Sequence, residues 1–201
     1  MNNVIFIDGE NFKYRIKDVF DKYRMPVPAW HTYDFHGLLN AVIDNYPTYT
    51  REEKRFYVAK PKPHKDIPDT STRMLQTYRS LGGHLHRQGF EVITAGRVRA
   101  DYKNDGDKKP TFREKGVDVR IAVDMVAMAC DRRLTKALLV ASDSDYQPAV
   151  AELRKRGVTV VYVGFEVNPN LGLIAKTNDR IIIPNKTVLS FGGTQQSRRA
   201  A

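Results

Sequence analysis

Two kinds of apolar pattern alternate along the chain. Val4–Ile7, Arg55–Ala59, Phe90–Thr94, Ala137–Ala141 and Val158–Val163 are short runs dominated by consecutive apolar residues, and Arg180–Ile183 makes a sixth. Such runs, bounded by turn formers, read as strands buried on both faces. Between them lie longer stretches with apolar residues three or four positions apart. Asn11–Tyr23, Phe35–Ile43, Thr70–Leu81, Val117–Ala129 and Tyr146–Arg156 follow this helical spacing, clearest in Phe35, Leu38, Leu39, Val42 and Ile43. The stops are legible too. Met25-Pro-Val-Pro28 breaks the first helix, Gly82-Gly83 ends the third, and Gly157 suits the position just past the last. His84 and His86 flank Leu85 and read as exposed strand positions.

Strands alternating with helices predict an α/β fold with a mostly parallel central sheet and helices on both faces. One domain is expected over residues 1–190, followed by a polar tail, 191–201, expected to be disordered. Residues 51–115 are expected to be loop-rich, because Lys60-Pro61 and Lys62-Pro63 disfavour helix.

Charge sharpens this picture. The 201 residues carry 33 Lys+Arg against 23 Asp+Glu, a net +10. Residues 51–115 alone hold 16 of the cations and nine of the acids, so +7 of the excess sits in that section. A localised basic excess points to a polyanionic partner. With 41% hydrophobic residues the chain buries a core and is not disordered. Its one cysteine, Cys130, excludes a disulfide framework and a cysteine-rich zinc site, and fits a reducing, cytoplasmic setting. No apolar run is long enough to span a membrane, so no membrane partner is expected.

Candidate chemistry lies at strand ends, since ligands of open parallel sheets bind beyond the carboxyl ends of the strands. The first strand runs into Asp8-Gly9-Glu10-Asn11 and the fourth into Ser142-Asp143-Ser144-Asp145. If those strands are neighbours, Asp8 and Asp143 converge, and converging carboxylates repel unless a cation joins them. Oxygen-only donors suit Mg²⁺ or Mn²⁺. Asp118 follows Glu114-Lys115-Gly116-Val117 in the first turn of a helix, and Asp124 lies on another side of it. Asn11 and Asp145 also suit helix capping. No zinc, nucleophile-elbow, Walker or dinucleotide motif is present.

Three motifs together resemble the NYN-domain family, relatives of the PIN-domain nucleases. They are Val4-Ile-Phe-Ile-Asp8 with Gly-Glu-Asn11, Lys115-Gly-Val-Asp118 leading to Asp124, and Leu139-Val-Ala-Ser-Asp143-Ser-Asp145-Tyr146 with Pro148. The resemblance implies a single PIN-like, Rossmann-type domain and metal-dependent endoribonuclease activity. It implies Asp8, Asp118 and Asp143 as ligands of one or two Mg²⁺ or Mn²⁺ ions, with Asp145 as a further catalytic acid. Asn11 and Asp124 match motif positions behind these. Ser142 departs from the pattern, standing where the family often has Gly.

RNA, single-stranded or structured, is the expected partner, and the chain is open to forming a homo-oligomer. Lys60, Lys62, Arg97, Arg99, Lys108, Lys109, Arg113 and Lys115 are the expected phosphate contacts, with Tyr57, Tyr102 and Phe112 as candidate stacking platforms. The alternative is a weakly active or inactive RNA-binding regulatory module. A haloacid-dehalogenase-like phosphatase requires Asp where Glu10 stands, and a topoisomerase-primase domain requires Glu at Asp8.

Overall fold

The computed structural model describes residues 2–46, 53–65, 67–101 and 110–192. In chain order the elements are β1 (Asn2–Asp8), α1 (Gly9–Lys22), α2 (Phe35–Ile43), β2 (Glu53–Lys60), α3 (Pro68–Arg87), β3 (Glu91–Asp101) and β4 (Thr111–Lys115). There follow α4 (Val117–Cys130), β5 (Leu134–Val140), a 3₁₀ turn (Ser144–Tyr146), α5 (Gln147–Lys155), β6 (Thr159–Phe165), α6 (Leu171–Lys176), β7 (Asp179–Ile183) and α7 (Asn185–Ser190). The seven strands form one sheet in the order β4-β3-β2-β1-β5-β6-β7. All pairs are parallel except β3 with β4.

Alternation along the strands explains the two cores. Ile5 and Ile7 of β1 face a core that includes Phe12 and Ile16 of α1, Leu38 and Leu39 of α2, and Val188 of α7. Val4 and Phe6 face the other, with Ile121 and Met125 of α4, Val150 of α5 and Leu173 of α6. Because both faces are covered, β1 reads as an unbroken apolar run. Phe12 packs against Phe35, Phe56 and Phe165 at ring separations of 5.8, 6.3 and 5.5 Å, which fixes α1 on the sheet. Strand order reverses between β1 and β5, with Ile7 paired to Val140, so their carboxyl ends flank the topological switch point. Among the described residues, no helix is long and apolar enough to cross a membrane.

Several expectations need correction. The third helix runs through Gly82-Gly83 to Arg87. Each glycine costs ~1 kcal/mol in a helix interior. Burial of Leu81 and Leu85 offsets this, at roughly 1.5–3 kcal/mol per side chain. His84 and His86 are therefore helical, and the His84 ring lies 2.7 Å from the Tyr33 carbonyl oxygen. The basic section is not loop-rich where it is described, since it holds β2, α3, β3 and β4. The strand expected over Phe90–Thr94 continues to Asp101 and pairs with β4, whose largely exposed residues carry no apolar signal. The short helices α6 and α7 also lack a readable period. Phe191, placed in the tail by sequence, packs against the first core, and its carbonyl accepts the Asp34 N–H. Residues 193–201 lie outside the described residues.

Candidate active site

Asp8 ends β1 and caps α1. One carboxylate oxygen accepts the Asn11 N–H at 3.0 Å and the other accepts the Tyr146 hydroxyl at 2.9 Å. The side chain is almost fully buried, and burial is the main cause of its raised pKa; Glu10 and Asp143 add to the rise, while the two hydrogen bonds oppose it. The same burial, together with Asp8, Asp118 and Asp143, pushes the Tyr146 phenol well above its ordinary value. Tyr146 thus stays protonated and serves Asp8 as a donor.

The far side of the switch point is held by two asparagines. Asn11 Oδ1 accepts the Ser142 N–H at 3.1 Å, and Asn170 Nδ2 donates to the Ser142 carbonyl at 2.9 Å. Ser142 is not among the residues with positive φ, so the chain does not need glycine there. Asp143 follows, and its Oδ1 accepts the Asp145 N–H at 3.0 Å. Asp143 therefore caps the 3₁₀ turn, the role that sequence gave to Asp145.

Asp118 is positioned by a contact between two glycines. Gly116 precedes α4 at φ +87°, and Gly96 in β3 lies against it at φ +65°. A Cβ at Gly96 would sit 2.2 Å from the Lys115 carbonyl oxygen, so β4 closes onto β3 this tightly only with glycine there.

Asp8, Asp118 and Asp143 line one pocket of about 410 Å³ with Asn11, Lys115 and two acids that the sequence reading left out of the site, Glu10 and Glu114. Burial, then the charges of Glu10 and Asp8, push the Glu114 carboxyl up to about 8. Lys13 pairs with Glu10 from one side. Among the described residues, no three acidic, histidine or cysteine side chains close tightly enough to ligate an ion as placed, so the carboxylates form an open bowl. A cluster of carboxylate oxygens, in which burial raises Asp8 and Glu114, nonetheless suits a hard divalent cation.

Two predicted acids lie elsewhere. Asp145 is exposed and lines a neighbouring groove of about 620 Å³ along α4, which also includes Asp118 and Tyr146. Asp124 accepts the Tyr57 hydroxyl at 3.0 Å and Arg120 Nε at 2.8 Å, and does not line the acid pocket. Tyr57 is fully buried, which removes it as a stacking platform, whereas Phe112 on β4 is exposed. Asn170 and Tyr146 also organise the site, although sequence alone gave neither that role.

The basic residues gather in two places. Lys60, Lys62 and Arg97 line a cavity of about 560 Å³ with Arg79, a residue not anticipated. Across the β3–β4 edge, Arg97 lies opposite Lys115 and Arg99 opposite Arg113. Like charges directly opposite are destabilising, so this pairing has no benefit to the sheet. Lys108, Lys109 and Tyr102 lie outside the described residues.

The chain is a seven-stranded, mostly parallel α/β domain with carboxylates gathered at its switch point. The NYN domain family model matches residues 3–183, and the chain belongs to that family. The structure resembles that of a protein of unknown function from Vibrio parahaemolyticus, with a TM-score of 0.58 and 20% identity over 90% of this chain and 91% of that one. That likeness shows the fold alone. No curated protein matches the chain.

Proposed function

We propose that the protein is a metal-dependent endoribonuclease acting at the acid pocket, in a cytoplasmic setting. The observation that carries this reading is the meeting of Asp8, Asp118 and Asp143 in one pocket at the switch point, with Glu10 and Glu114 beside them. Asp8, Asp118 and Asp143 would hold Mg²⁺ or Mn²⁺. A bound divalent ion supplies Lewis-acid activation of water and offsets charge on the phosphate and leaving oxygen. The chain's own residues set the stage for this. Tyr146 and the Asn11 N–H hold both Asp8 oxygens, leaving the carboxylate one orientation. Asn11 also ties the Asp143 turn to α1. Glu114 is a carboxyl able to hold a proton beside the pocket, and the exposed Asp145, in the neighbouring groove, would orient the attacking water. Asp124 is left a supporting role through Tyr57. The cations at the ends of β2 and β3 bind the RNA backbone.

The test is incubation of purified protein with labelled RNA and DNA oligomers in Mn²⁺, Mg²⁺ or EDTA. RNA cleavage that EDTA stops, and that Asp143→Asn abolishes while RNA binding persists, is the expected result. Undiminished cleavage by that variant would rule out this site, and binding without any product would favour the regulatory RNA-binding module.

A further inference from the structure

Beside the acid pocket lies a second cavity, of about 470 Å³, between α1, α3 and the carboxyl ends of β2 and β3. We propose that it receives one unpaired nucleobase of the RNA substrate, an inference that rests on the ribonuclease reading. Its walls are apolar and aromatic, from Trp30, Tyr78, Met74, Leu81 and Val58, and Lys13 and Arg73 also line it. The volume falls in the roughly 300–1,000 Å³ range of small-ligand pockets. Both rings are held in place. Trp30 packs against Phe35 at 6.4 Å, and the Tyr78 hydroxyl shares a 2.6 Å hydrogen bond with Thr94. Rings already ordered lose little freedom when a base stacks on them.

The position of the cavity identifies its occupant. Glu10 lines both this cavity and the acid pocket. Pro61 lines both this cavity and the one that collects Lys60, Lys62, Arg79 and Arg97. Carboxylates, an aromatic pocket and a cluster of cations thus follow one another along the rim of the sheet. Among the described residues none of those four cations makes a salt bridge, so their charge is open to an outside anion. A single nucleic-acid strand offers the matching series: a scissile phosphate, a base, and further phosphates. A paired base must first be unpaired and unstacked before it can enter, so the pocket favours single strands and loops.

Trp30 is the protein's only tryptophan, so its fluorescence reports directly on this pocket. The full chain is titrated in EDTA with a short single-stranded RNA and with a matched oligomer in which every base is removed. We expect quenching by the intact strand alone, and roughly ten- to hundredfold weaker binding of the abasic strand by anisotropy of an end label. Thr77→Phe fills the cavity from an exposed position on α3 and adds no tryptophan. It should abolish the quench and bring the affinity of the intact strand down to that of the abasic one. Tight binding without quenching, equal affinity for both strands, or a quench that survives Thr77→Phe would each overturn the base pocket while leaving RNA binding intact. Absence of any RNA binding would sink the ribonuclease reading itself, and the pocket's role with it.

Discussion

Replacing Glu114 by Gln should remove a pH dependence built into the acid pocket. A carboxyl moved from 4.5 up to about 8 carries ~5 kcal/mol of disfavoured ionisation, at ~1.4 kcal/mol for each tenfold change in proton affinity. Glu114 is half-buried, and water screens its neighbours' charges, which brings the net cost to ~2–3 kcal/mol. The sign follows from where the proton is held. Between pH 4.5 and about 8 the unfolded chain has released the Glu114 proton and the folded protein has kept it. Folded stability therefore falls as pH rises through that window and levels off above it. Urea unfolding of chelator-treated protein from about pH 4 to about pH 8.5 measures this. Glu114→Gln should gain on the wild type across the window, ending ~2–3 kcal/mol better than at the acid end. Mn²⁺ should close the gap, because a cation in the bowl offsets the charges that Glu114 otherwise feels. A difference between the two proteins that does not change with pH would refute the placement of Glu114 among those acids.

Two further outcomes follow from the same geometry. Tyr146→Phe leaves one buried Asp8 oxygen without its donor. Stability at neutral pH should drop by ~1–3 kcal/mol, and Mn²⁺ affinity by calorimetry should fall with it. Asp124→Ala strips the acceptor from the buried Tyr57 hydroxyl and from Arg120. It should cost ~1–3 kcal/mol in urea unfolding while RNA cleavage per folded molecule is unchanged, the opposite of Asp143→Asn.

The central strands were readable because β1, β5 and β6 are buried on both faces. That β1 and β5 are neighbours, the condition for Asp8 and Asp143 to converge, is supplied by the sheet order and not by the sequence. Elements whose signal depends on tertiary packing were not readable. Gly82-Gly83 looks like a stop locally, and only the burial of Leu81 and Leu85 shows why the helix continues. Strand β4 has no apolar face, so nothing in its sequence distinguishes it from a charged loop. That omission hid Glu114, because a strand antiparallel to β3 is what brings it beside Asp8. Capping was misassigned for a related reason. Asp143 and Asp145 are equally good caps by residue type, and the choice is made by the 3₁₀ turn that begins at Ser144. Asp124 carries the same chemistry as its neighbours, but the helical phase directs it to Tyr57.

The close approach of Gly96 to Gly116 has a consequence for how such a protein can change over generations. The β3–β4 arm is clamped at its root, next to Asp118, while the chain from Asp101 to Thr111 joins the two strands at the opposite end. Lengthening a connecting segment is cheap, ~0.6 kcal/mol for each doubling. Insertions, deletions and changes of charge in that segment therefore leave Asp118 where it is. The β3–β4 arm is thus free to vary from one relative to the next while the carboxylates at the switch point keep their places.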